Sequence, residues 1–335
     1  MKMVKQRLLN IFWMLMQLPI VAEAQTDPHF SQYYLFSHFI NPAFTGSGNT
    51  DVQIAGIYRN QWKNITNPYT TSGLTADISP GKNIQLGLNI LQQQAGNAGF
   101  KYTSAYLSVA YTGVRWGTEN SQQLSLALQA GMISRRFDPA KLQLDDQWIP
   151  GIGYNPGLPS TDLFPVTSLN VEDFGAGILY QDGSTTHTIK PYAGIAVFHL
   201  NRPQDPFLTD EDLPYIPKRY SIHGGLKISI TPFISWIPHA LYIKQGTAST
   251  LVGSSYFEFM ANESTALLTG IQLRFGDSFI PFAGIRFGDW TLGCSYDVGI
   301  SSLSRFSGRA NSMEISFSYR KQKTNSNFSF ECPRF

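Results

Sequence analysis

Between residues 51 and 320 apolar and polar side chains alternate in runs of about ten, the pattern of strands that turn one face to a greasy surround and the other to a polar interior. In 83–91, Ile84, Leu86, Leu88 and Ile90 share one face, and Gln85, Gly87 and Asn89 the other. The run 312–320 sets Met313, Ile315, Phe317 and Tyr319 against Ser312, Glu314, Ser316, Ser318 and Arg320. Leu124, Leu126, Leu128 and Ala130 behave alike, as do Trp290, Leu292, Cys294, Tyr296 and Val298. The same reading predicts strands over 51–59, 69–78, 83–91, 100–112, 121–133, 171–181, 188–200, 219–231, 238–245, 250–260, 264–274, 277–287, 289–299 and 311–320. That makes about fourteen, an even number such as single-chain bacterial barrels require.

Loop lengths give a check that does not enter the strand assignment. With both barrel ends in the periplasm, the odd-numbered connections face outward and should be the long ones. The long connections, about 134–170, 201–218 and 300–310, are all odd-numbered, whereas the even ones 79–82, 182–187, 261–263 and 288–289 are brief. A soluble sandwich has no reason to segregate lengths in this way.

Composition sharpens the picture. Charged residues are 14% of the chain, against about 25% in an ordinary soluble domain, so part of the surface is expected to face something other than water. Lys2, Lys5 and Arg7, then an apolar run over 8–21, then Ala22-Glu23-Ala24 form the three-part pattern of a cleaved secretory signal, with the mature chain starting near Gln25. No Cys follows the cleavage site, which argues against a lipid anchor. Removing 1–24 takes three positive charges and one negative, so 25 against 23 becomes 22 against 22. A neutral exported chain without a basic stripe is not expected to bind nucleic acid. No stretch after the signal reaches about 18 consecutive apolar residues, so a closed barrel is the remaining way to span lipid.

Catalytic and metal signals are sparse. The histidines at 29, 38, 187, 199, 223 and 239 have no metal-ligand spacing, and GxSxG, phosphate-cradling and HExxH motifs are absent. Asp145-Asp146 and Asp210-Glu211-Asp212 read as solvated loop charges. No enzyme activity, cofactor or metal site is therefore expected. Arg274, Asp297 and Glu314 fall on predicted inner faces, where charges pair across a lumen. Cys294 is predicted to face lipid and Cys332 lies beyond the last strand, so two free thiols are expected. The loop segments GIGYNPGLPS (151–160) and NRPQDPFLTDEDLPYIPKR (201–219) set turns with Pro and Gly. Trp148, Tyr154, Phe207 and Tyr215 there are candidate partner anchors, with a lid over the barrel mouth as the equal alternative.

One stretch escapes the alternation. DPHFSQYYLFSHFINPAFTGS (27–47), followed by YRNQW (58–62), QQQAGNAG (92–99), SYDVGISSL (295–303), SMEISFSY (312–319) and CPRF (332–335), resembles the PorP/SprF family of outer-membrane proteins tied to type IX secretion and gliding in the Bacteroidota. The resemblance implies a barrel of about fourteen strands in the manner of fatty-acid-channel folds. It also implies a partner role in exporting or anchoring secreted adhesins that carry a type IX C-terminal sorting domain, alongside type IX components of the outer membrane and periplasm.

The expected organisation is therefore a signal (1–24), an aromatic-rich amino-terminal segment (25–50), an outer-membrane all-β antiparallel barrel (51–320) surrounded by lipid, and a periplasmic tail (321–335). Phe30, Tyr33, Tyr34, Phe36, Phe39 and Phe44 need burial and Asn41-Pro42 dictates a turn, so 25–50 is expected to plug the lumen or dock beneath it. A partner-binding tail is the rival. Arg59 and Trp62 are expected where the first strand exits outward, either meeting a passenger or joining an interfacial aromatic girdle. A channel for a small hydrophobic or polar solute is the second functional reading, and a soluble secreted sandwich the third.

Overall fold

The computed structural model describes residues 27–48, 50–62, 68–96, 99–162, 164, 166–205, 215–301 and 311–322. Its strands are β1 (Thr50–Gln61), β2 (Tyr69–Ile78), β3 (Ile84–Ala95), β4 (Phe100–Trp116), β5 (Gln122–Arg136), β6 (Trp148–Ile149), β7 (Gly153–Tyr154), β8 (Ser168–Asp182), β9 (Ile189–Phe198), β10 (Arg219–Thr231), β11 (Ile234–Gln245), β12 (Ala248–Met260), β13 (Thr265–Arg274), β14 (Ser278–Phe287), β15 (Trp290–Gly299) and β16 (Ser312–Gln322). Fourteen of them form a closed antiparallel barrel in chain order, with β16 returning to β1. The short β6 and β7 pair apart from it as a hairpin in the long β5–β8 connection.

Every predicted strand has a counterpart in the barrel wall. The four quoted alternations come out as read: Leu86, Leu128, Leu292 and Ile315 are exposed, and Gln85, Gln129, Thr291 and Glu314 are buried. Outward leucines such as Leu107 and Leu128, 67% and 68% exposed, make sense only against acyl chains. Closure of β1 on β16 leaves no unpaired edge, which is the condition for a sheet to sit in hydrocarbon. Among the described residues no helix is long and apolar enough to cross a membrane.

Several strand ends differ from expectation by up to four residues, and two of them have a local reason. β11 begins at Ile234 rather than 238, because Pro238 lies inside the strand and does not interrupt it. The β10–β11 ladder skips from Gly225↔His239 to Ile228↔Trp236, so the missing Pro N–H falls in a gap of that ladder while Ser255 of β12 still faces the ring. β4 runs on to Trp116 through a register shift between Tyr111 and Val114, at Gly113.

The core is inside the barrel. Residues 27–48 are almost wholly buried, in two 3₁₀ turns, Ser37–Phe39 and Pro42–Phe44, and connecting bends. Asn41 caps the second turn, its Oδ1 accepting the Ala43 N–H at 2.8 Å, with Pro42 pre-set at the first helical position. The wall is thinned to admit the segment. A Cβ at Gly73 would meet the Phe36 ring at 2.5 Å, and one at Gly177 would collide with the Asn41 amide.

Candidate functional site

The amino-terminal segment threads the lumen with its first residues at the end that carries the long connections, termed the outer end. Asp27 is bound at the outer strand ends, 2.9 Å from His199 and 3.2 Å from Arg219. Its other end reaches the inner rim, where Gly46 N–H donates to Asp77 at 3.3 Å and the buried His38 Nε2 lies 2.8 Å from the same carboxylate. The segment's two ends line two different cavities. Asp27, Pro28 and His29 line an outer one of about 450 Å³, and Ser47 and Gly48 line an inner one of about 1040 Å³.

A group of charges seats Ser31 and Gln32. Glu314 receives the Ser31 N–H at 2.6 Å and the Gln32 N–H at 2.8 Å. Arg59 bridges Glu314 at 2.6 Å and Asp297 at 3.0 Å, and Arg274 donates to Ser31 Oγ at 2.8 Å. The Gln32 amide donates to Ser295 at 3.0 Å and accepts from Ser316 at 2.6 Å. Buried ions cost several kcal/mol each to desolvate, roughly, unless paired and saturated with hydrogen bonds. Backbone N–H groups of the segment thus complete a wall cluster that would otherwise be under-satisfied.

Further in, the contacts are apolar and aromatic. Tyr34 packs on Tyr256 at 4.6 Å and Phe30 on Phe36 at 5.2 Å, edge to face in the latter pair. Phe44 lies against His223 at 4.8 Å, and the Asn41 amide donates to Ile178 O at 2.9 Å. Arg219 sits between the Phe39 and Phe198 rings, 4.2 and 4.0 Å from their centroids, and donates to Phe39 O at 2.9 Å.

At the outer latch His199, one residue beyond β9, lies 2.9 Å from both Asp27 and Asp173. Burial alone would lower its pKa, but the Asp27 charge and hydrogen bonds to Asp173 and Asp27 outweigh that and push it up to about 9. Burial would raise the Asp27 carboxyl; the charges of His199 and Arg219 hold it well below the usual carboxylate range. At neutral pH His199 therefore keeps its proton beside the Asp27 carboxylate.

A family model described as the type IX secretion system membrane protein PorP/SprF matches residues 22–319. The chain belongs to the PorP/SprF family. No curated protein matches the sequence. Among solved structures, the toluene transporter TbuX of Ralstonia pickettii is 9% identical with a TM-score of 0.51, covering 86% of this chain and 94% of that one. The toluene transporter TodX of Pseudomonas putida is 8% identical at 0.47, over 89% and 95% of the two chains. CdiB from Escherichia coli is 9% identical at 0.40, over 79% and 63%. The likeness to TbuX is one of fold: an outer-membrane barrel.

In this PorP/SprF barrel the sequence-predicted residues separate into distinct places. Phe30, Tyr33, Tyr34, Phe36, Phe39 and Phe44 come together in the lumen core. Arg59 does not reach the outer rim for a passenger or a girdle; it points inward, is 1% exposed and belongs to the charged seat. The reason is parity: Tyr58, 48% exposed, takes the outward position and Arg59 follows it to the other face. Trp62 lies just past β1, packed edge to face on Tyr69 at 5.0 Å.

Trp148 and Tyr154 pair across the β6–β7 hairpin, rings 6.1 Å apart, with Trp148 52% exposed. Tyr215 bridges Gln204 and lies under the Arg202 guanidinium at 5.7 Å. Phe207, Asp210-Glu211-Asp212 and Cys332 lie outside the described residues. Asp146 accepts from Thr161 N–H at 2.7 Å and from the Ser160 hydroxyl at 2.9 Å, so its charge is used by its own loop. Cys294 is a free, outward-facing thiol.

Sequence reading missed His199, Arg219 and Asp27, which form the outer latch, and Glu258, which pairs with Lys227 at 2.9 Å and with Arg286 in the inner cavity. For Arg219 and Glu258 a charge at inward parity is the available signal, the one that picks out Arg274, Asp297 and Glu314; Asp27 and His199 lie off the strands and have no parity to read.

Proposed function

We propose that this PorP/SprF protein is a non-enzymatic outer-membrane partner of type IX secretion. It holds a secreted adhesin bearing a type IX C-terminal sorting domain at the cell surface, or assists its export, with a link to gliding. Residues 1–24 direct export and are removed. The inner turns and residues 321–335 face secretion components in the periplasm, and the outer connections, with Trp148, Tyr154 and Tyr215, meet the passenger.

The observation that carries the reading is the occupied lumen beneath long connections gathered at one end. A barrel filled by its own chain offers cargo a rim rather than a conduit. Replacing 201–218 with a short Gly-Ser turn is expected to release the adhesin into the medium while the barrel still fractionates with the outer membrane. Adhesin that stays on cells bearing that variant removes the proposal. The intact protein is expected to be closed in a planar bilayer; steady conductance would instead favour a small-solute channel.

A further inference from the structure

The outer cavity carries a chemistry that passenger anchoring does not use. Its volume, about 450 Å³, falls in the range of small-molecule sites, roughly 300–1,000 Å³. Trp62, Tyr69 and Phe275 give it an aromatic side, and Gln61, Gln93 and a row of Ser and Thr hydroxyls give it hydrogen-bonding groups. Trp62 is held at φ 60°, the left-handed region that a bulky residue rarely adopts. Strain of this kind concentrates where a side chain must be presented in one direction.

Three buried polar atoms of lining residues have no hydrogen-bond partner among the described residues: Asp27 Oδ1, His29 Nε2, and Arg59 Nε on a side chain 1% exposed. A buried donor or acceptor left unmade costs about 1–3 kcal/mol, so these atoms point to a ligand that completes them. Each charged side chain of the described lining, in contrast, is already in an ion pair. Arg59 is paired to Glu314 and Asp297, Arg274 to Asp277 and Asp297, and Asp27 to His199 and Arg219. Among the described residues a charged ligand finds no counter-charge outside these pairs and would have to displace one of them. What the lining can still satisfy is a neutral molecule with many hydroxyls and an apolar face to lie on an aromatic ring.

We propose that the outer vestibule binds a neutral saccharide, its ring face on Trp62 and its hydroxyls on Gln61, Gln93, Arg59 Nε and His29. The sugar comes either from solution or from a glycan of the cell surface. Because Pro28 and His29 line the same cavity, an occupant touches the first residues of the lumen segment.

The test uses the full chain, purified in a detergent without a sugar headgroup and titrated by calorimetry. The probes are maltose, cellobiose and N,N′-diacetylchitobiose, and, in a second arm, lipopolysaccharide from the host bacterium. Trp62→Asn removes the ring while keeping a residue that accepts the left-handed backbone, so folding is preserved; an unchanged thermal melt verifies this. Saturable binding of a disaccharide, weakened about tenfold (~1.4 kcal/mol) by Trp62→Asn, supports the proposal with a soluble source. Binding of lipopolysaccharide alone with the same Trp62 dependence supports a surface-glycan source. Absence of saturable binding to any probe, or binding indifferent to Trp62→Asn, overturns it.

Discussion

The outer and inner halves of the lumen segment are held by different physics. Residues 27–32 are fixed by charge: Asp27 between His199 and Arg219, and Ser31-Gln32 on Glu314, Asp297 and Arg274. Residues 33–44 are fixed chiefly by ring packing and shape, with Tyr34, Phe36 and Phe44 among wall side chains and glycines. Charge contacts are directional and titrate, whereas apolar burial is indifferent to pH and only weakly affected by moderate salt. The half nearer the outside is therefore the half that conditions can release.

The largest effect is expected from removing both halves. Deleting 27–48 from a barrel that still assembles should join the outer and inner cavities and give steady planar-bilayer conductance where the intact chain gives none. A closed deletion variant would mean that the lumen is blocked by something else.

Next comes Glu314→Gln, which leaves Arg59 with Asp297 alone and weakens the acceptor of two backbone N–H groups. Breaking a buried pair from one side costs 3–5 kcal/mol, and the surviving Asp297 contact puts this case at about 3 kcal/mol. The variant should melt lower and expose bonds near Tyr33 to chymotrypsin, while Phe36 and Phe44 remain packed. If Glu314→Gln melts as the parent does, the outer half is not anchored by charge.

The smallest effect is reversible and set by pH. His199 has its folded pKa raised from 6.5 to about 9, so its contribution is complete below about 6.5 and fades as pH rises through 9. Asp27, with its folded pKa depressed, contributes above its unfolded value near 3.8 and loses that contribution as pH falls below it. Residues 27–29 should accordingly resist proteolysis best between about pH 4 and 6.5 and become steadily more accessible toward pH 9 and above. His199→Gln should flatten the alkaline limb. A profile of the same shape in that variant would assign the titration elsewhere.

These contrasts also explain which parts were legible in the sequence. The wall was readable because lipid imposes one rule on every strand, and residues such as Leu126, Leu128, Ile315 and Phe317 obey it. The rule blurs in β1. Gly56 occupies an outward position under the Phe317 ring, and Ile57, 4% exposed, turns inward to the core, so the parity that places Arg59 inside is masked. The segment 27–48 carries no period because it is neither helix nor strand. Its aromatic content announces a need for burial without saying where, and the positions that answer, Gly73, His223 and Tyr256, belong to distant strands.

Arg59 and Glu314 face each other directly across the β1–β16 pairing that closes the wall, in the register Arg59↔Glu314. A slip of one residue along that seam would turn one of the two ionised groups from the interior into acyl chains and leave the other unpaired, a misfit expensive enough to forbid it. The seam that joins the two ends of the sheet thus carries its own alignment key, set by the same charges that seat the threaded chain.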